Sequence, residues 1–277
     1  LLIAEVELSN KSIISLFNEC RMPRISRGLN KSNIINDSSI EALFKVLNEY
    51  KDVIQKHQCA KVILNATQTL RVAKNAEMII SSIKEKFNFY VDIITGNREA
   101  YLSFIGAQSG LGFEQKSAVI DIGGASTEIV IGSGSEIYFQ KSFPIGVVTM
   151  TEKFLKPLSN VAIRNFTTYI SEVLKELKEI VMHNTNVIAV SGTPTTLASA
   201  NQKLKEYSDD KVEGYVLYQN DLKNFISEFS SISNDDIRET HGQIMEGRED
   251  IILAGTLFSK QFWSYLEKIN YTQAPAV

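Results

Sequence analysis

The stretch Ala118-Val-Ile-Asp-Ile-Gly-Gly-Ala-Ser-Thr-Glu-Ile-Val-Ile-Gly132 decides how this chain is read. An apolar run ends in Asp121, passes through Gly123 and Gly124, and resumes as a second apolar run after Glu128. Glycines at such a turn can take positive φ and let backbone N–H groups point at an anion, which makes Gly123, Gly124, Ala125 and Ser126 a candidate phosphate cradle. Asp121 and Glu128 put carboxylates where a divalent metal or a water would sit. A plain glycine hairpin is the alternative. Gly132-Ser-Gly-Ser135 already supplies a hairpin turn further on, so the polar cluster exceeds what folding needs.

The strands around this turn have an echo at the start of the chain. Glu128-Ile-Val-Ile-Gly132, a turn and Glu136-Ile-Tyr-Phe-Gln-Lys-Ser-Phe143 have the shape of Leu1-Leu-Ile-Ala-Glu-Val-Glu7, a turn and Ser12-Ile-Ile-Ser-Leu-Phe-Asn18. Two halves that begin alike lead to the expectation that a first phosphate turn precedes Leu1, in keeping with an opening residue other than Met.

Between these landmarks, strand and helix alternate. Ser38-x-x-Glu41 reads as a capping box for a helix that keeps apolar residues at helical spacing from Ile40 to Ile54. Short strands are expected at 62–64 and 90–94, a helix at 76–87, and a further helix capped by Asn97. In the second half the expectations are helices at 147–154 and 161–182, a strand at 187–190, helices at 194–200 and 221–229, and a last helix from about Glu249. This alternation marks an α/β chain with a partly parallel sheet. A glycine-containing stretch at 110–116 reads as a hinge and sets the expected domains at 1–115 and 116–277, with the C-terminal helix free to pack back on the first.

The whole chain has 277 residues, 44% hydrophobic and 22% charged, which is enough for two cores in a soluble globular protein. A net charge of −3 argues against a general nucleic-acid binder. Any polyanion would need a local basic cluster, and Arg21, Arg24, Arg27 and Lys31 around Ser26-Arg-Gly-Leu29 form one candidate; a solvated basic loop explains them equally well. The longest apolar runs, such as 251–258, fall far short of the roughly 20 residues that span a bilayer, so no membrane anchor is expected. Cys20 and Cys59 form no C-x-x-C pair, and His57, His183 and His241 lack metal-ligand spacing. A reducing cytoplasm is the expected location.

Four polar turns follow strands, the position where open α/β sheets bind ligands. Arg71 offers a guanidinium fork for phosphate oxygens, or a surface salt bridge. Glu99 lies in the first turn of a helix, where the dipole alone favours a carboxylate. Ser191-Gly192-Thr193 resembles a second phosphate turn, and Thr193 could equally cap the following helix. The fourth is the turn from Asp121 to Glu128.

Taken together, several strings resemble the Ppx/GppA phosphatase family (exopolyphosphatase and guanosine pentaphosphate phosphohydrolase), within the actin, sugar kinase and Hsp70 superfold. They are Ala66-Thr-Gln-Thr-Leu-Arg71, Ile94-Thr-Gly-Asn-Arg-Glu-Ala100, Val119-Ile-Asp-Ile-Gly-Gly-Ala-Ser-Thr-Glu128, Ser142-Phe-Pro-Ile-Gly146, Val190-Ser-Gly-Thr193 and Gly247-Arg-Glu-Asp-Ile-Ile-Leu-Ala-Gly255. The resemblance implies two actin-like (ribonuclease H-like) domains with a cleft between them. It implies that Glu99 is the catalytic carboxylate, that Arg71, the Gly123–Ser126 turn and Ser191-Gly192-Thr193 hold phosphate, and that Asp121 and Glu128 hold Mg2+ or Mn2+. The implied reaction is release of the terminal phosphoryl group of inorganic polyphosphate by in-line attack of water, with guanosine pentaphosphate as the alternative substrate. A non-catalytic polyphosphate- or alarmone-binding regulator is the third reading. Two departures from the family pattern bear on it: Ala125 stands where a third glycine is usual, and Arg98 where another Glu is usual. A homodimer is the base-rate expectation.

Overall fold

The computed structural model describes residues 1–7, 9, 12–111, 116–177 and 185–268. It divides into two compact units, Leu1–Ile94 and Thr95–Val277.

The first unit opens with the antiparallel pair β1 (Leu2–Glu7) and β2 (Ser12–Asn18), registered from Leu2 opposite Asn18 to Glu7 opposite Ser12. There follow α1 (Leu29–Ser32), α2 (Asp37–Lys56), β3 (Leu64–Ala66), α3 (Gln68–Val72), α4 (Ala76–Phe87) and β4 (Val91–Ile93). β3 and β4 are parallel, and the core under them holds Ile40, Leu47, Leu70, Ile79, Ile83 and Phe87. Two local expectations shift. Asn36 rather than Ser38 caps α2, its side chain accepting from the Ser39 N–H at 2.9 Å. The strand expected at 62–64 forms at Leu64–Ala66, leaving Ile63 70% exposed. A short apolar run carries no register of its own, and pairing with β4 sets it.

The second unit starts with α5 (Gly96–Leu111), whose cap is Thr95: its Oγ1 accepts from the Arg98 N–H at 3.2 Å. Asn97, the expected cap, is therefore inside the helix. Next come β5 (Ser117–Ile122), β6 (Thr127–Ser133), β7 (Glu136–Phe143), α6 (Val147–Phe154) and α7 (Asn160–Leu174), which tightens into a 3-10 turn at Lys175–Leu177. The chain continues through β8 (Asn186–Val190), α8 (Gly192–Asn201), α9 (Asp209–Val212), α10 (Gln219–Ser231), α11 (Asn234–His241), a 3-10 turn at Gly242–Met245, and α12 (Ile252–Lys268). The remainder of the helix expected to reach 182 lies outside the described residues, as does most of the expected hinge.

Strand order is β7-β6-β5-β8, antiparallel except for the parallel β5–β8 pair. Side chains alternate between two faces along each strand. On one face Val119, Val130 and Ile188 pack with Ala100 and Phe104 of α5. On the other, Ala118, Ile120, Ile129, Ile131 and Val187 join a larger core with Phe166 and Ile170 of α7, Phe225 and Phe229 of α10, and Leu257, Phe258 and Phe262 of α12. α5 thus belongs by its packing to the second unit, and the division falls after Ile94 instead of between residues 115 and 116. α12 packs within that same unit.

Candidate active site

One row crosses the second unit's sheet: Ser142 on β7 lies opposite Glu128 on β6, Glu128 opposite Asp121 on β5, and Asp121 opposite Val190 on β8. Register places these side chains on a common face, the one that α5 covers. Strand alternation explains the choice: Val119 and Val130, two residues inward, are the apolar residues of that face, so the polar pair falls at its end.

Both carboxylates are short of solvent. Glu128 is 1% exposed, and Ser142 Oγ donates to its Oε1 at 2.6 Å. Ser126 also bonds it. Burial is the main cause that pushes Glu128 up to about 7, with the negative charges of Glu99 and Asp121 adding to the rise and the two serine hydroxyls opposing it. Asp121 accepts from Ser103 Oγ at 2.7 Å and from Ser191, and burial still raises its pKa. Glu99 lies one helical turn before Ser103, on the same side of α5. Asp121 and Glu128 therefore lie desolvated side by side at one sheet end, with Glu99 near enough for its charge to act on Glu128 and no cationic partner strong enough to return the pair to the ordinary range.

The turn after Asp121 departs from its expected backbone. Neither Gly123 nor Gly124 takes positive φ. The Gly123 N–H donates to Ser126 O at 2.9 Å, and the carbonyls of Gly123 and Gly124 receive the Val147 and Val148 N–H groups that open α6. The glycines serve close approach instead: Gly146 at the mouth of α6 lies so tight against Gly124 and Ala125 that a side chain there would overlap their backbone. The phosphate-cradle reading accordingly rests on the N–H groups of Gly124, Ala125 and Ser126.

The turn after β8 is strained. Ser191 has φ 80° and ψ −173°, a region that only glycine occupies comfortably. This conformation lets α8 begin at Gly192 while the Ser191 hydroxyl reaches Asp121. The Arg248 guanidinium lies against Gly192, where any side chain would collide with it. A cation beside the positive end of a helix suits an anion at that point. Thr193 is 5% exposed and its side chain packs on Gly255 of α12, so its hydroxyl faces that helix.

Arg71, the remaining expected site residue, lies in the first unit. Its Nη1 donates to Ile94 O at 2.6 Å, and Nε and Nη2 donate to Gln68 Oε1 at 3.3 and 3.2 Å. The second unit thus brings together Glu99, Asp121, Ser126, Glu128, Ser191 and Gly192. Sequence reasoning assigned no role to Ser103, Ser142 or Arg248. Ser103 was accessible as the i+4 neighbour of Glu99; Ser142 required the register of β7, and Arg248 the tertiary contact with Gly192.

Among the described residues, no three His, Cys, Asp or Glu side chains gather as they would to enclose a metal. Two buried carboxylates nevertheless fit Mg2+, which takes one or two protein carboxylates and completes its shell with water and phosphate oxygens. No helix among the described residues is long and apolar enough to cross a membrane.

Comparison with known proteins follows the same line. The sequence matches the Ppx/GppA phosphatase family over residues 2–276. It is 30% identical to the bifunctional 3-dehydroquinate synthase/phosphatase of Fusobacterium nucleatum, over 97% of this chain and 42% of that protein. It is 30% identical to the guanosine-5'-triphosphate,3'-diphosphate pyrophosphatase of Photobacterium profundum, over 67% of this chain and 38% of that protein. The chain spans about two fifths of the length of these curated relatives. An exopolyphosphatase structure from Cytophaga hutchinsonii superposes with a TM-score of 0.84 at 25% identity, covering 95% of this chain and 86% of that one. The fold class is the α/β, actin-like two-domain type of these neighbours.

Proposed function

The chain belongs to the Ppx/GppA phosphatase family, and from that premise we propose that it hydrolyses the terminal phosphoanhydride of inorganic polyphosphate. The observation that carries this reading is the desolvated pair Asp121 and Glu128 at one sheet end beside the strained Ser191 turn, with Glu99 near enough for its charge to act on Glu128.

In this reading Glu99 accepts a proton from a water whose oxygen attacks the terminal phosphorus. The bond to the bridging oxygen breaks, and the electron pair leaves on the shortened chain. Asp121 and Glu128 would hold Mg2+ or Mn2+, which when bound neutralises charge on the phosphate oxygens. The N–H groups of Gly124, Ala125 and Ser126, the start of α8 at Gly192-Thr193, and Arg248 offer positive potential to the polyanion. Most of the acceleration in such chemistry comes from positioning and charge neutralisation, which this arrangement supplies.

A second reading, hydrolysis of guanosine pentaphosphate, draws support from the name of the Photobacterium relative. The two are separated by phosphate release from long polyphosphate, tripolyphosphate, guanosine pentaphosphate and ATP with Mg2+. The fastest turnover on polyphosphate supports the first, on guanosine pentaphosphate the second, and binding without release supports a regulator. We place the protein in the cytoplasm, in keeping with its free cysteines Cys20 and Cys59.

A further inference from the structure

α5 is held to the sheet on both sides of Glu99. Two residues before it, the Asn97 carbonyl accepts from Gln140 Nε2 of β7 at 3.1 Å. Four residues after it, Ser103 Oγ donates to Asp121 Oδ2 of β5 at 2.7 Å. β7 has a second attachment on the same face: Ser142, two residues beyond Gln140, holds Glu128 at 2.6 Å. Backbone pairing registers β5, β6 and β7 to one another across this whole region. A helix lying on a sheet has no such ladder; apolar packing of Ala100 and Phe104 leaves it free to slide or roll by fractions of an ångström. Directional bonds at both ends of its site-facing stretch remove that freedom.

We infer that Gln140 and Ser103 are positioning residues that bracket Glu99 and fix it relative to Asp121 and Glu128. Neither is required to touch substrate. Gln140 stops the first turn of α5 from lifting off β7, and Ser103 ties the next turn to the strand that carries Asp121. Ser103 also links the two carboxylates mechanically: a shift of Asp121 on loading the site would be passed to the helix that bears Glu99. This rests on the assignment of Glu99 as the base, so its test includes a reading that does not depend on activity.

The experiment compares wild type with Gln140→Met, Ser103→Ala, the double variant and Ser103→Thr, with thermal melts to confirm folding. Gln140→Met keeps length but donates nothing; Ser103→Thr keeps the hydroxyl. Hydrogen exchange followed by mass spectrometry reports on residues 97–103, and polyphosphate hydrolysis in Mg2+ reports kcat and KM separately. Loss of one such bond is expected to lower kcat by roughly three- to tenfold, with KM changed by less than about twofold. Exchange at 97–103 is expected to rise in Gln140→Met and Ser103→Ala and to stay at the wild-type rate in Ser103→Thr. Unchanged exchange in the double variant overturns the inference whatever the kinetics, and so does a kcat loss in Ser103→Thr equal to that in Ser103→Ala. Faster exchange in a protein whose wild type releases no phosphate from polyphosphate would remove the polyphosphate reading and leave the bracket standing.

Discussion

Asp121 and Glu128 face each other as a registered antiparallel pair on β5 and β6, two carboxylates side by side on one covered sheet face. Like charges directly opposite in a sheet are destabilising, and burial compounds the cost. A fold that keeps this pair gives up stability at the sheet end where the phosphatase chemistry is proposed to occur.

The first consequence is a pH dependence. Burial sets the folded-state value of Glu128 at about 7 against an ordinary 4.5, so the folded protein binds more protons than the unfolded chain between those values. Stability must then fall as pH rises through that window, by about 3 kcal/mol from this group, and Asp121 shifts in the same direction. Urea unfolding of metal-free protein at about pH 5 and about pH 8 should show a smaller fall in Glu128→Gln than in wild type. Divalent cation should recover stability at the higher pH in wild type. Parallel pH profiles for the two proteins would contradict the burial argument.

Ser191 separates strain from bonding. Its φ of 80° costs on the order of 1–3 kcal/mol for a residue with a Cβ, partly offset by the backbone entropy a glycine would add to the unfolded chain. Ser191→Gly and Ser191→Ala both lose the hydroxyl on Asp121, but only the first relieves the backbone. Ser191→Gly should therefore be the more stable by about 1 kcal/mol in thermal melts. Equal melting temperatures would mean the turn is not strained.

Thr193 and Gly255 pack the start of α8 onto α12, and a methyl on Gly255 would overlap the threonine side chain. Gly255→Ala should cost about 1–3 kcal/mol through overpacking. Adding Thr193→Ala should return part of that loss. An unaltered urea midpoint in Gly255→Ala would show that α12 does not seat there.

How much of this was legible beforehand depends on which interactions fix each feature. The β5–turn–β6 unit and the Glu136–Phe143 strand could be read locally, because apolar runs and glycine turns are written in neighbouring residues. Helix α4, Ala76–Phe87, matched its spacing residue for residue. The allegiance of α5 was not legible: its apolar face says that it packs, and only the partners Val119, Val130 and Ile188 say where. Carboxylates were found as residue types, but Glu128's burial depends on what covers the sheet. The glycines of the Asp121 turn were chosen for φ by sequence reasoning and for close packing by the structure, since a one-dimensional string shows a missing Cβ without showing what would have struck it.

The central claim is that Glu99 activates the water that attacks the terminal phosphoryl group. Phosphate release from polyphosphate in Mg2+ should fall by at least about 100-fold in Glu99→Gln, given the contribution typical of a general base, while polyphosphate binding and the melting temperature stay near wild type. Near-normal turnover in folded Glu99→Gln would contradict the account and return Glu99 to the role of a carboxylate favoured by its helix start.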